Sequence, residues 1–204
     1  TPQPTATPGP VCQLPSALPD WFVYESGGSV YGVAELCNPL DHAIYIDYSF
    51  DAVSGAGSII ESISSSAWHP IPASGGKACV ESVFYTRPVG AVQYRFRVTG
   101  WSNAASYFPY GGTVINASYD SAGHAVSGVI RNDAGRDVWV GASVALYDSA
   151  GQILQCDELP TINDSSLTAG QSTSFKSTFF DYNQTLKDIL SRVVSYHVLL
   201  SRVP

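Results

Sequence analysis

Charge is scarce in this 204-residue chain, where Asp, Glu, Lys and Arg together make up 13% of the residues, about half the usual quarter. Only three residues are lysine and the formal net charge is -7, so no basic stripe is available to neutralise phosphates. Nucleic acid and anionic membrane surfaces are thereby excluded as partner classes. No apolar run approaches the roughly 18 residues that a membrane-spanning helix needs, which excludes membrane insertion of that kind. Methionine is absent and the chain opens on Thr1 without a charged-then-apolar leader. The expectation is a processed, extracytoplasmic chain, secreted or held at the cell surface, whose export signal has been removed.

The motifs of the commoner chemistries are missing as well. There is no Cys-x-x-Cys, Gly-x-Ser-x-Gly, His-Glu-x-x-His or glycine-rich phosphate loop, so metal ribbons, redox pairs, serine hydrolases and nucleotide sites have no signature. The four histidines, His42, His69, His124 and His197, are scattered. Asp47 and Asp51 are four residues apart on one strand, too far to share a calcium ion. No catalytic residue, no metal site and no cofactor are expected, and the chain is read as not being an enzyme.

What is present is β-structure. The opening Thr-Pro-Gln-Pro-Thr-Ala-Thr-Pro-Gly-Pro can form neither a helix nor a regular ladder, so residues 1–15 are expected as an extended Pro/Thr-rich segment. It serves either as a spacer or, through Val11, Cys12, Gln13 and Leu14, as a docking segment. Beyond it the apolar period is two. Ile44, Ile46, Tyr48, Phe50 and Ala52 alternate with Tyr45, Asp47, Ser49 and Asp51, and Val138, Val140, Ala142, Val144 and Leu146 with Trp139, Gly141, Ser143 and Ala145. Each run predicts a strand with one buried face. Residues 184–192 alone place apolar groups at helical spacing, predicting a helical turn or two.

The chain also repeats itself. Gly27, Val30, Gly32 and Val33 fall on Gly123, Val126, Gly128 and Val129; after two residues of slippage Asn38 meets Asn132 and Ala56-Gly57-Ser58-Ile59 meets Ala150-Gly151-Gln152-Ile153. An internal duplication is the expectation, with domains at residues 16–104 and 111–204. With no helix long enough to cover a sheet, sheet must pack on sheet. The expected fold is all-β, two tandem immunoglobulin-like Greek-key β-sandwiches.

Three blocks of the second copy resemble the FxLYD family of bacterial and archaeal immunoglobulin-like modules. Gly128-Val129-Ile130-Arg131-Asn132 looks like its early strand, Val144-Ala145-Leu146-Tyr147-Asp148 with Gly151 like its name-giving segment, and Leu167-Thr168-Ala169-Gly170-Gln171 before Phe175 like its late turn. The first motif position is Val rather than Phe, and Phe50-Asp51-Ala52-Val53-Ser54 of the first copy departs further. The resemblance implies an exported β-sandwich and carries over no substrate, cofactor or partner.

Cysteines stand at 12, 37, 79 and 156. Three pairings are possible, and Cys37 to Cys79 is favoured because both fall in the first domain at strand ends. Cys12 and Cys156 would then join the N-terminal segment to the second domain or pair with another subunit. Tyr45 and Trp139 occupy equivalent outward positions, while Trp101, Tyr107, Phe108 and Tyr110 crowd the stretch between the copies. They form the candidate contact surface, shared between domain packing and a partner. The functional expectation is a non-catalytic structural protein of the cell surface that self-associates into a filament or array, or contacts another surface protein. The alternative is a glycan- or protein-binding module of the cell envelope.

Overall fold

The computed structural model describes residues 20–104 and 110–201, and among these the fold is all-β with one short helix. Expectations for Val11, Cys12, Gln13, Leu14, Tyr107 and Phe108 lie outside the described residues. The first half contains β1 (Asp20–Ser26), β2 (Ser29–Cys37), β3 (Ile44–Ser54), β4 (Ile59–Ser66), β5 (Lys77–Phe84) and β6 (Ala91–Asn103). They form two antiparallel three-stranded sheets, β1-β2-β5 and β4-β3-β6. Between them lies a core that includes Val30, Leu36, Ile44, Tyr48, Phe50, Val80, Phe84 and Phe96.

The second half contains β7 (Thr113–Asp120), β8 (Ala125–Arg131), β9 (Val138–Trp139), β10 (Ala142–Tyr147), β11 (Ile153–Asp157), β12 (Thr161–Ile162), β13 (Ser166–Leu167), β14 (Ser172–Thr178) and β15 (Ser195–Leu200), with α1 (Gln184–Ser191) before the last strand. Sheets β12-β14-β8-β7 and β11-β10-β15 and the pair β13-β9 enclose Val126, Ile130, Val144, Leu146, Leu167 and Phe175. The run from Val138 to Leu146, expected as one strand, is broken at Val140-Gly141. There Val140 N–H leaves the sheet to donate to Ser165 O, 2.7 Å, and Gly141 O takes the N–H of Ser201.

Matching features recur in the two halves at an offset of 94 or 95 residues. The β3–β4 ladder shifts register between Ala52 and Val53, and the β10–β11 ladder between Leu146 and Tyr147. Each turn then closes through a glycine at φ 80°, Gly57 or Gly151, where a side chain would be strained. Asn38 and Asn132, both fully buried, are the best conserved pair of bonds. Asn38 Nδ2 donates to His42 O and Ile71 O, and Asn132 Nδ2 to Arg136 O and Leu167 O. Their Oδ1 atoms accept from Leu40 and Ala134 N–H, each at 2.9 Å.

The pairing of β2 with β5 and of β8 with β14 sets Ala34 opposite Val80 where Gly128 stands opposite Phe175. Gly128 therefore matches Ala34, not Gly32, and the two-residue slip lies in the turn before the strand rather than after it. A slip of two keeps each residue on its face, which explains why the sequence match survives. A Cβ on Gly128 would collide with Asn116 O and sit 2.8 Å from the Phe175 ring, so close strand approach requires this glycine.

The halves meet through sheet β1-β2-β5 and sheet β11-β10-β15. Val33 and Cys79 of the first pack with Ala145, Tyr147, Ile153 and Cys156 of the second. Tyr24 packs with Leu154 and with Leu186 and Ile189 of α1. The outward residues of β10, Ser143 and Ala145, were expected on a solvent face; they are buried, Ala145 completely. Polar ties cross the same boundary: Tyr147 Oη donates to Glu35 at 2.5 Å, Ile153 N–H to Asp20 at 2.5 Å, and Asn183, the N-cap of α1, to Ser26 at 2.7 Å.

The disulfide follows from this contact. Cys79 is bonded to Cys156, with Cα atoms 5.8 Å apart, and not to Cys37. Cys79 and Cys37 lie on neighbouring strands two positions out of register, since Cys79 stands opposite Glu35. The Cys79 side chain points away from the first core toward β11. Cys37 is itself disulfide-bonded. A Cys156 bond to another subunit is likewise ruled out, because Cys156 is already used within the chain.

Candidate functional site

The aromatic residues chosen from the sequence divide. Tyr110 forms a parallel bridge with Trp139, and its phenol is pushed up by burial and by neighbouring Tyr45. The Tyr110 ring also lies 5.7 Å from His69. Tyr45 and Tyr110 are half-buried, and Trp139 and Trp101 stay 40% and 49% exposed. Tyr110 thus links Trp139, Tyr45 and His69, while Trp101 stands opposite Ile46 on β3.

A large concave feature lies elsewhere. Where the edge of β5 and the end of β4 face the segment after β11 and the loop between β14 and α1, a groove of about 1050 Å³ opens between the halves. The first half contributes Tyr24, Tyr31, Ile63, Glu81 and Tyr85, and the second Gln155, Asp157, Glu158, Lys176, Phe180 and Tyr182. Tyr24 and Tyr31 stack at 5.0 Å with planes 5° apart, and Phe180 and Tyr182 lie 6.4 Å apart. Tyr85, Phe180 and Tyr182 are 83%, 66% and 70% exposed. Aromatic rings held open to solvent at the mouth of a groove give large contact area at small conformational cost.

The floor is acidic. Glu158 Oε1 accepts the Glu81 N–H at 2.5 Å, tying the two halves together, while Glu158 Oε2 is buried without a partner. Burial, then the charge of Asp157, pushes the Glu81 carboxyl up to about 7. Burial also pushes Glu158 up to about 7, against the Glu81 N–H bond that lowers it and with Glu81 and Asp157 adding to the rise. Tyr48, whose hydroxyl donates to Glu81 O at 3.4 Å, is pushed up to about 12 by burial. Gln155 is 6% exposed and its Nε2 has no hydrogen-bond partner.

Sequence reasoning missed this groove. Glu81 is distant in sequence from the adjacent Asp157 and Glu158, and the Cys79–Cys156 bond, one or two residues away from each, joins the segments that carry them. The available signal was the run Phe179-Phe180-Asp181-Tyr182, aromatic residues outside the alternating strands. Among the described residues, no cluster of His, Cys, Asp and Glu could hold a metal ion. No family model matches the sequence, and no curated protein matches it.

Proposed function

We propose that this chain is a non-catalytic, extracytoplasmic binding module, built from two tandem immunoglobulin-like Greek-key sandwiches of the FxLYD kind at residues 16–104 and 111–204, with the groove between them as its ligand site. The observation that carries this reading is the groove itself: rings of Tyr85, Phe180 and Tyr182 exposed around a floor of partly satisfied polar groups. Such a mixture of apolar wall and convergent polar groups is how small-ligand and peptide sites are built. The repeated hairpin and the paired Asn38 and Asn132 bonds support the tandem arrangement. The Cys79–Cys156 bond supports an oxidising compartment.

Titrating isotope-labelled protein with panels of soluble glycans and short peptides tests the proposal. Resonance shifts confined to Tyr31, Tyr85, Phe180 and Tyr182, lost in the double variant Tyr85→Ala/Tyr182→Ala, are expected. If every panel member leaves these resonances in place, the reading fails.

One observation favours a second reading, the self-associating structural subunit. The thirteen-residue strand β6 pairs only with β3 among the described residues, and β4 on the other edge exposes Ile59 and Ile60. Open edges of this kind are templates for strand addition. Sedimentation at high concentration separates the two: a monomer with an active groove supports the first, and a concentration-dependent polymer abolished by Val92→Lys the second.

A further inference from the structure

The buried carboxylates Glu35 and Asp51 are matched by cations, whereas the half-buried carboxylates of the groove are not. Glu35, 4% exposed, holds Lys77 Nζ at 2.6 Å. Asp51, fully buried, holds Arg97 Nε at 3.1 Å and Arg95 Nε at 3.7 Å. Glu81 and Glu158 share the groove floor with Asp157, and among the described residues no Lys, Arg or His pairs with any of the three. Lys176 lines the groove without reaching them. A partly desolvated carboxylate without a counter-charge is costly, and these three line a groove walled by aromatic rings.

We infer that the groove takes an organic cation, an ammonium or guanidinium group on an apolar stem, with Glu81, Asp157 and Glu158 supplying the counter-charge and the rings of Tyr31, Tyr85 and Tyr182 packing on the stem. This rests on the binding-module reading above and names its ligand chemistry. Aromatic faces attract such cations through their quadrupole, and a planar guanidinium matches a carboxylate in two-point geometry. A divalent metal ion is a poor fit, since it requires a shell of oxygen ligands and no suitable cluster exists among the described residues. A neutral sugar would stack equally well on the rings but would leave the carboxylates uncompensated as it displaced water. Gln155 Nε2 is enclosed in the floor beside Tyr24, so polar recognition of the ligand falls to the three carboxylates.

The raised Glu81 and Glu158 carboxyls give the interaction a pH signature. The titratable groups facing them are Asp157 beside Glu158, Lys176 on β14, Tyr24 on β1, Tyr31 on β2, Tyr48 on β3, and Tyr85 and Tyr182 at the rim. Glu81 and Glu158, each pushed up to about 7, change charge near neutrality. A cation must displace their protons, so its affinity rises with pH.

Calorimetric titration with spermidine, with the blocked peptide Gly-Arg-Gly-Arg-Gly and with maltohexaose, at pH 5.5 and pH 8, tests this on the intact disulfide-bonded chain. The expected result is binding of the arginine peptide that tightens about tenfold or more between the two pH values, with proton release. Glu158→Gln should weaken it by about tenfold or more, and Tyr182→Ala should weaken it without altering the pH dependence. Spermidine binding with the same pH and Glu158→Gln behaviour also supports the cation assignment. Maltohexaose binding that Glu158→Gln leaves unchanged overturns the cation while leaving the groove a ligand site. Failure of both cations at pH 8, or affinity independent of pH, overturns the inference whatever the wider panels of glycans and peptides show.

Discussion

Strands β3 and β10 occupy the same place in the two halves, yet their outward faces have opposite fates. On β3 the outward Asp51 is fully buried beneath Arg95, Arg97 and Ser62 of its own sheet, and the two arginines present charge to solvent. At the matching position of β10 stands Ala145, with Ser143 and Tyr147 on either side, and this small, nearly uncharged face is sealed by Val33 and Cys79 of the first half. The same hairpin, bulge and glycine turn support both. The difference therefore lies in a handful of outward residues: charge and long side chains keep β3 free, whereas small residues let β10 receive a second sheet. One face determines the tertiary arrangement and hence where the groove can exist.

The strongest way to break the contrast is to remove the covalent clamp. The Cys79–Cys156 bond closes a loop with a sequence separation of 77 residues, for which chain entropy gives about 4 kcal/mol. Cys79→Ser/Cys156→Ser should lower stability by that order in urea unfolding, and the transition should split in two if the halves are held together mainly from this point. An unchanged single transition would show that the β10 face alone binds the halves.

Ala145→Asp copies the charge of β3 onto β10. It buries a carboxylate near Tyr147 and Glu35, whose carboxylate already takes Lys77, a cost of about 3 kcal/mol or more, and it should separate the halves while leaving the second core intact. Retained tyrosine chemical shifts for Tyr119 and Tyr196 together with loss of those for Tyr24 and Tyr147 would show this. Unchanged stability would mean that the small face is incidental.

The paired asparagines sharpen the comparison from inside. Asn38→Ala leaves the carbonyls of His42, Ile71 and Pro72 without their donor, and Asn132→Ala those of Arg136 and Leu167. Each should cost about 2 kcal/mol, Asn38 somewhat more. Equal melting behaviour of both variants and the parent protein would show that water replaces the side chain.

Much of this was legible in the sequence because it is local. Alternation located β3 and the inward face of β10, the helical spacing of Leu186, Ile189 and Leu190 located α1, and the match of Asn38 with Asn132 located two residues with the same bonds. The Cys79 pairing and the groove were not legible, because both depend on how two folded halves dock. A buried outward face reads like a solvent face when its residues are Ser, Gly and Ala. The alternation of Ser143 and Ala145 with Val144 satisfies a half-exposed strand and a fully buried one equally well. Glu81 and Glu158 read as ordinary surface acids until docking half-buries them.

Those two carboxylates produce the smallest and most diagnostic effect. Each has a folded-state value of about 7 against an ordinary 4.5. The folded protein therefore holds protons there that the unfolded chain has released, so the contribution of these two groups to stability is fully present below about pH 4.5 and is lost as pH rises through 7. Both groups are only half-buried, and solvent screening reduces the combined loss to the order of 2 kcal/mol, below the sum of two full shifts. Asp51 does not mask it. Although burial alone would raise its carboxyl, bonds from Ser62 and Arg97 hold it below the usual range, so its contribution is lost only in stronger acid. Glu81→Gln/Glu158→Gln should flatten the stability profile between pH 5 and pH 8 and make the variant more stable than the parent at pH 8 by about 2 kcal/mol. The same variant should fail to bind the arginine peptide. Gain in stability with loss of binding is what residues kept for a ligand at the expense of the fold would show; parallel pH profiles in variant and parent would place these two acids among the ordinary surface charges.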